Sequence, residues 1–230
     1  MHHVLSGYIE RKEMPGLVAL VSRMDDIHVE ALGTLAFDNS APMKRDTIFR
    51  IASITKPITA VAAMILIEEC KLRLDGSIEP WLPELAGRRV LKSIFSEVDD
   101  TVPARRPITV RDLLTSCMGF GSVLAMPDTY PIQKLIRKYR VGGDGPKLQS
   151  EWPETDEWLR NLGSLPLLAQ PGERWMYHVS IDVLGVLVAR VSGKSLGAFL
   201  RERIFDPLGM KDTGFMSLSK TSIACRGPTF

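Results

Sequence analysis

The stretch of sequence that decides the fold is IFRIASITKPITAVAAMILIEECKLRLDG, residues 48–76. Ser53 is suited to cap a helix and Pro57 falls within its first turns, so the pattern predicts a helix over residues 53–70. The middle of the segment, residues 60–67, is apolar on nearly every side, which is typical of a helix that is buried all round. No other part of the chain gives a stronger helix signal.

Ser53 and Lys56 form the pattern Ser-x-x-Lys at the start of this helix. Residues three apart share a helix face, so the lysine amine can approach the serine hydroxyl. A serine becomes a nucleophile when a base removes its proton, and a lysine in apolar surroundings can be that base. The alternative, a helix cap followed by a surface lysine, stays open on spacing alone. Chance gives on the order of one such pattern in a chain of this composition, and a second one lies at residues 217–220.

A β-hairpin is predicted near the start of the chain. Residues 17–21 are a compact apolar run, whereas apolar and polar side chains alternate over residues 27–31. Because the residues between them are polar and turn-like, we expect two paired strands, the first more buried than the second. A short amphipathic helix over residues 3–12 precedes them.

The rest of the chain is predicted as helical segments joined by loops rich in Pro and Gly. Thr109 is suited to cap a helix over residues 109–114. Residues 126–154 are predicted to be mostly loop, with their clearest break at Gly142-Gly143-Asp144-Gly145-Pro146. Two more helices are expected at residues 182–191 and 196–204.

Charge excludes several classes of function. The chain has 29 basic and 27 acidic residues, a net charge of +2, and no basic run beyond pairs such as Arg88-Arg89. We therefore expect neither a nucleic acid nor an anionic membrane surface as a partner. The longest apolar stretch, residues 57–67, is far shorter than a membrane span.

Cysteine and histidine usage favours a reducing compartment and no metal. Three scattered cysteines form no disulfide framework, so the cytoplasm is the expected location. The first thirteen residues carry charge where a signal peptide needs its apolar region. The four histidines lack metal-ligand spacing, and no phosphate-binding or dinucleotide motif occurs, so no metal and no cofactor are expected.

Residues 48–76 closely resemble the nucleophile helix of the serine β-lactamase and penicillin-binding-protein superfamily. Within it, the chain is most similar to the class C type and its esterase relatives. Four further segments fit in the same order, and the resemblance covers roughly residues 4–215. They are MPGLVALVSR (14–23), ITVRDLLTSCMGFG (108–121), QPGERWMYHVSIDVLGVLVARVSG (170–193) and IFDPLGMKDTGF (204–215).

The resemblance implies an α/β fold of the β-lactamase-like type. An N-terminal β-hairpin would belong to an incomplete antiparallel sheet, beside a large helical region. Residues 1–215 would form the hydrolase domain without its C-terminal strands, and residues 216–230 a tail unlike the family. Since the family's hairpin pairs with those strands, residues 17–21 would have an open apolar edge, and self-association through that edge is expected.

The resemblance also implies the catalytic residues. Ser53 matches the acylated nucleophile, and Lys56 matches its general-base partner. Tyr177 matches the tyrosine of the family's Tyr-x-Asn motif, which relays the proton and protonates the leaving group. The alternative for Tyr177 is a core tyrosine packed beside Trp175. The flanking Pro171-Gly172-Glu173-Arg174 segment favours the catalytic interpretation.

Two departures from the family pattern bear on the substrate. Val179 stands where the motif has asparagine, and valine cannot hydrogen-bond the acyl side of a substrate, which counts against efficient β-lactam recognition. His178 could partly substitute for that amide, although a wall residue of the site is the simpler interpretation. Both are therefore candidate substrate-binding residues. The family's third motif, of the Lys-Thr-Gly type, has only a chance likeness at residues 220–222.

These observations predict a cofactor-free serine hydrolase that forms an acyl-enzyme on small-molecule esters or amides. Carboxylic esters are the first choice of substrate because Val179 weakens the β-lactam case, leaving weak β-lactam hydrolysis as an addition. Two alternatives stay open. One is a truncated, non-catalytic remnant of such a hydrolase. The other is a β-lactamase or D-alanyl-D-alanine carboxypeptidase, which a cytoplasmic location disfavours.

Overall fold

A computed structural model describes residues 1–142, 153–215 and 223–224. The chain divides into two compact units. The first contains Met1–Ile54 and the described residues of Met210–Phe230, and the second is Thr55–Gly209.

The first unit begins with helix α1 (His2–Glu10) and an antiparallel hairpin of strands β1 (Gly16–Arg23) and β2 (Asp26–Ala36). The helix and the hairpin that the sequence predicts are therefore confirmed. Gly16 pairs with Gly33 at the open end of the hairpin, where the two backbones approach each other closely. Gly33 has φ +77°, and a Cβ there would lie 2.2 Å from the carbonyl oxygen of Pro15, so a side chain does not fit.

Burial in the hairpin differs from the prediction. The first strand was expected to be the more buried one, but Leu20 and Val21 in β1 are 60% and 54% exposed. These two neighbours point to opposite sides of the strand, so both faces of this part of the hairpin are uncovered. The small core of the sheet lies near its open end instead, where Leu35 and Met43 pack with Val18 and Ala41.

A third strand, β3 (Asn39–Pro42), pairs with β2, so the described sheet has the order β1-β2-β3 with β1 at one edge. A short strand β4 (Ile48–Phe49) pairs in parallel with Ile223–Ala224. Those two residues are the described part of the tail, residues 216–230, whose sequence has no clear hydrophobic period. The rest of 216–230, including residues 220–222, lies outside the described residues, and the boundary at residue 215 stays a prediction.

The second unit begins with helix α2 (Thr55–Glu68), which a 3₁₀ turn at Ala52–Ile54 precedes. The predicted helix is thus present, and Ser53 lies in the turn before its first residue. Helices α6 (Val179–Ser192) and α7 (Leu196–Leu200) pack against α2. Its expected burial on all sides is wrong, because Val61 and Met64 are each 49% exposed, whereas Ala62, Ala63 and Leu66 are fully buried.

Most other elements follow the sequence analysis. Helix α3 (Val110–Leu114) starts at the predicted cap, where Thr109 and Asp112 form a capping box. Helix α7 continues as a π-helical turn over Arg201–Phe205, so the two together cover the helix that was predicted over residues 196–204. The remaining described elements are α5 (Thr155–Ser164), a 3₁₀ turn at Pro83–Leu85, and the antiparallel pair β5 (Arg89–Leu91) and β6 (Thr101–Pro103).

The expectation of a loop over residues 126–154 is wrong in part, because helix α4 (Pro131–Tyr139) lies within it. Pro131 occupies the first helical position, and the Gln133 side chain accepts a hydrogen bond from the Tyr130 backbone N–H. These N-terminal signals outweigh the polar composition of the segment. Most of the predicted break at 142–146 falls in 143–152, outside the described residues.

Across the described ranges, no single helix has the length and apolar character needed to cross a membrane. One pair that is bent by 77°, Val179–Ser192 with Leu196–Phe205, meets these two criteria only when its helices are taken together.

Candidate active site

The second unit brings together two of the three predicted catalytic side chains, Lys56 and Tyr177. Lys56 is the second residue of α2, and Tyr177 lies two residues before α6, which packs on α2. The Lys56 amine Nζ donates a hydrogen bond of 3.2 Å to the Tyr177 hydroxyl. The same Nζ lies 4.8 Å from the centroid of the tyrosine ring. Because Tyr177 is 38% exposed, it is not a core tyrosine, and its phenol can be reached from solvent.

Ser53 lies in the 3₁₀ turn directly before α2 and is exposed. The chain runs without a break from this turn into the helix, so Ser53 precedes Lys56 by three residues. Its side chain therefore lies in an accessible turn directly before a strongly apolar helix. The assignment of Ser53 as nucleophile stays a prediction.

The backbone of Tyr177 is held by the loop after α3. The Ser122 backbone N–H donates to the Tyr177 carbonyl oxygen, and the Met176 N–H donates to the Ser116 carbonyl at 2.8 Å. A Cβ on Gly121 would lie 2.5 Å from the Tyr177 carbonyl oxygen, so this contact requires glycine. Gly121 and Ser122 support the site but were not predicted from the sequence. The Gly-Phe-Gly turn at residues 119–121 is the feature that could have indicated them.

An ion pair fixes the other side of this loop. Asp112 is buried in α3 and accepts hydrogen bonds from the Arg106 guanidinium and from the Thr109 N–H and hydroxyl. Burial alone would raise the pKa of this carboxyl, but the bonds from Arg106 and Thr109 outweigh burial and lower it. Gly172 packs on the pair, with φ +84° and the Arg106 guanidinium 2.3 Å from where its Cβ would be. The Gly172 N–H also donates to the Cys117 carbonyl at 2.8 Å.

His178 and Val179, the predicted substrate-binding residues, follow Tyr177 at the start of α6. His178 is the N-cap residue, and its ring meets the Tyr177 ring edge-to-face with centroids 4.8 Å apart. Its Nδ1 lies 3.3 Å from Asp182 Oδ2, one turn into the helix. Val179 is only 1% exposed, so its side chain belongs to the core. Their role in substrate binding stays a prediction.

Among the described residues, no group of three or more His, Cys, Asp or Glu side chains could hold a metal ion. The two side chains that the structure brings together here are an amine and a phenol. An amine that is hydrogen-bonded to a phenol can pass a proton between them, which suits general acid–base catalysis.

Similar known proteins identify the family of this chain. The sequence matches the Beta-lactamase family over residues 2–222. Rv1367c of Mycobacterium tuberculosis is 41% identical over 205 residues, which cover 88% of this chain and 48% of that protein. Esterase EstB of Burkholderia gladioli is 35% identical over 217 residues, which cover 93% of this chain and 50% of EstB. The chain thus spans about half the length of these relatives.

A solved structure shows the same fold. EstCE1, described as a hydrolase with promiscuous acyltransferase activity, matches with a TM-score of 0.80 and 31% identity, over 97% of this chain and 54% of EstCE1. The predicted α/β fold of the β-lactamase-like type, with its N-terminal hairpin and large helical region, is confirmed. The predicted resemblance to the superfamily and its esterase members is confirmed as well. The chain belongs to the Beta-lactamase family.

Proposed function

We propose that this protein is a serine hydrolase that cleaves carboxylic esters through an acyl-enzyme intermediate. Ser53 Oγ attacks the ester carbonyl as the Lys56 amine takes the hydroxyl proton. Tyr177 donates its phenolic proton to the leaving alkoxide and is reprotonated by Lys56 through their hydrogen bond. A water molecule then attacks the acyl-enzyme, and its proton passes to Lys56 and on to Ser53 Oγ as the carboxylic acid leaves. The observation that carries the proposal is the hydrogen bond between Lys56 and Tyr177, which provides a proton path at the start of the helix that follows Ser53 in the sequence.

Esters are the proposed substrate class for two reasons. Val179 presents no amide at the position where the family motif has asparagine, so a β-lactam's acyl side would lose a hydrogen-bond partner. In addition, EstB is named an esterase and EstCE1 is described as a hydrolase. His178, which is partly exposed, is proposed to flank the acyl side of the substrate through its ring. Val179 is buried, and its proposed effect on the substrate is that it offers no amide at this position.

The proposal also covers the kind of substrate, the extent of the domain, the compartment and self-association. The substrate is a small molecule, and neither a metal nor a cofactor takes part. Residues 1–215 act as the hydrolase domain, with 216–230 as a tail. The cytoplasm is the proposed compartment, on the argument from the scattered cysteines. Self-association through the edge of β1 is proposed because Leu20 and Val21 are exposed on a strand edge.

The test is the intact mass of the purified chain after incubation with a fluorophosphonate, which labels activated serines. A single adduct on the wild type that is absent from Ser53→Ala is expected. Tyr177→Phe should label more slowly. A panel of p-nitrophenyl esters of increasing acyl length, run beside a chromogenic cephalosporin, then measures the preference for esters. If the folded wild type forms no adduct, the hydrolase proposal is wrong and the remnant alternative is left.

A further inference from the structure

An ion pair at the start of α6 lies next to the proposed proton path, and one of its two members, Asp182, has no role assigned so far. His178 caps the helix, and Asp182 follows one turn later with its Oδ2 at 3.3 Å from His178 Nδ1. Carboxylates in the first turn of a helix are favoured by the positive end of the helix dipole, which stabilises Asp182 at this position. Asp182 is more exposed than His178, so the histidine is the inner member of the pair.

The His178 ring connects this pair to Tyr177. The two rings are neighbours with an interplanar angle of 74° and a centroid distance of 4.8 Å, the edge-to-face arrangement that aromatic pairs prefer. A bond from Nδ1–H to the carboxylate fixes both the tautomer and the rotation of an imidazole. Since the position of the ring edge follows from that rotation, Asp182 determines which part of His178 faces the tyrosine.

The Tyr177 side chain depends on such a neighbour. Its backbone is held by the loop at Gly121 and Ser122, but its ring is partly exposed and turns about two side-chain bonds. Trp175 is the other aromatic neighbour in the described residues, and its ring is itself exposed at a centroid distance of 6.2 Å. The Tyr177 ring lies closer to His178 and to the Lys56 amine, each at 4.8 Å from its centroid, than to Trp175.

We propose that Asp182 is a positioning residue that acts through His178. Its carboxylate holds the His178 imidazole against the Tyr177 ring, and this contact keeps the phenol at hydrogen-bonding distance from the Lys56 amine. The catalytic consequence rests on the proposed function. The contact itself does not, because it is a property of the folded protein without substrate.

The experiment compares Asp182→Ala and Asp182→Asn with the wild type and with Asp156→Asn. Asp156 is the matched control, since it is an exposed aspartate that also pairs with a residue of α6, Arg190 at 2.9 Å. The first readout is steady-state hydrolysis of a p-nitrophenyl ester. Asp182→Ala should lower kcat roughly 10- to 100-fold, as expected for a displaced catalytic group, with little change in KM. Asp182→Asn keeps an acceptor oxygen and should recover part of the loss.

The second readout is the ring signal of Tyr177 in protein labelled with ¹³C-tyrosine, assigned through Tyr177→Phe. It should move in Asp182→Ala and stay in place in Asp156→Asn. A third readout is the pair of variants His178→Ala and His178→Ala/Asp182→Ala. If Asp182 acts through His178, the double variant loses no more kcat than His178→Ala alone.

The outcomes separate this proposal from the proposed function. If the wild type neither labels at Ser53 nor hydrolyses esters, the hydrolase proposal is wrong, and the Tyr177 signal still decides whether Asp182 positions the ring. If that signal stays unmoved in Asp182→Ala, the positioning role is overturned. A normal kcat in an active enzyme overturns it too, as does a loss that appears only in KM.

Discussion

Lys56 Nζ lies 3.2 Å from the Tyr177 hydroxyl although 121 residues separate them in the chain. The two side chains meet because α6 packs against α2, so the proton path depends on the packing of two apolar helices. The buried residues of α2 include Ala62, Ala63 and Leu66, and those of α6 include Val183, Leu184 and Leu187. The geometry of the polar pair is thus set by the apolar core below it.

Removal of the Tyr177 hydroxyl should impair catalysis far more than stability. Tyr177→Phe keeps the ring and its contact with His178 but removes the acceptor for Lys56 and the proton for the leaving group. We expect kcat on an ester to fall by about 10²- to 10⁴-fold, while the melting temperature changes little because the hydroxyl is partly exposed. Tyr139→Phe is the matched control and should leave both quantities unchanged. A Tyr177→Phe enzyme with a kcat within twofold of the wild type would contradict the assigned role.

A methyl group at Gly121 should displace Tyr177 without touching its side chain. The new Cβ would lie 2.5 Å from the Tyr177 carbonyl oxygen and 2.7 Å from Met176 Cβ, so the backbone must shift. Gly121→Ala should lower the free energy of unfolding by about 1–3 kcal/mol, as overpacked sites do, and should lower kcat as well. In Gly142→Ala the nearest atom among the described residues, Ile136 Cγ2, is 3.5 Å away, an ordinary contact. Urea unfolding and ester kinetics on both variants measure the difference, and equal behaviour would refute the steric argument.

The Arg106–Asp112 pair should make stability depend on pH in one direction. The pKa of Asp112 in the folded protein is below its ordinary value of 3.8, because the bonds from Arg106 and Thr109 outweigh burial. The carboxylate therefore stabilises the fold at pH values above about 4, and this contribution is lost as the pH falls through the lowered pKa. Asp112→Ala should cost about 3 kcal/mol at pH 7, since it leaves Arg106 and the helix cap without their partner.

Urea unfolding at pH 7 and at pH 3 measures this effect. The difference between Asp112→Ala and the wild type should shrink at pH 3. Asp75→Asn breaks the exposed pair with Arg111 and should have a much smaller effect at pH 7, because solvent screens that pair. A gap between Asp112→Ala and the wild type that grows toward low pH would show that the sign is wrong.

A charge on the edge of β1 should reduce self-association. Leu20 is exposed on the edge strand, and lysine at such a position opposes the pairing of two edges. Sedimentation velocity over a range of concentrations should show association of the wild type and at least about tenfold weaker association of Leu20→Lys. Phe37→Lys is the control, because Phe37 is equally exposed but lies in the turn after β2. A wild type that stays monomeric at high concentration would remove this part of the proposal.

Local features of the sequence predicted the elements well. The apolar run after Ser53 predicts α2, the Thr109 cap predicts α3, and the two apolar runs around a polar turn predict the hairpin. These signals are local because capping, turn formation and helix periodicity involve residues within a few positions of one another. Helix α4 was missed although Ile132, Leu135, Ile136 and Tyr139 stand at helical spacing, because the Gly and Pro residues around it favoured a loop. Its start is held by side-chain bonds from Gln133 to neighbouring backbone.

The amino-acid sequence by itself determined the family, the main helices, the hairpin and the three candidate catalytic residues, because motifs and hydrophobic periods are written along the chain. Only the tertiary structure decided which side chains meet. The bond from Lys56 to Tyr177, the close approach of Gly121 to the Tyr177 backbone and the contact of His178 with the Tyr177 ring all join segments through packing. The tertiary structure likewise decided that four apolar side chains are exposed, namely Val61, Met64, Leu20 and Val21. An apolar side chain favours burial wherever it stands, but only the folded chain determines whether a partner covers it.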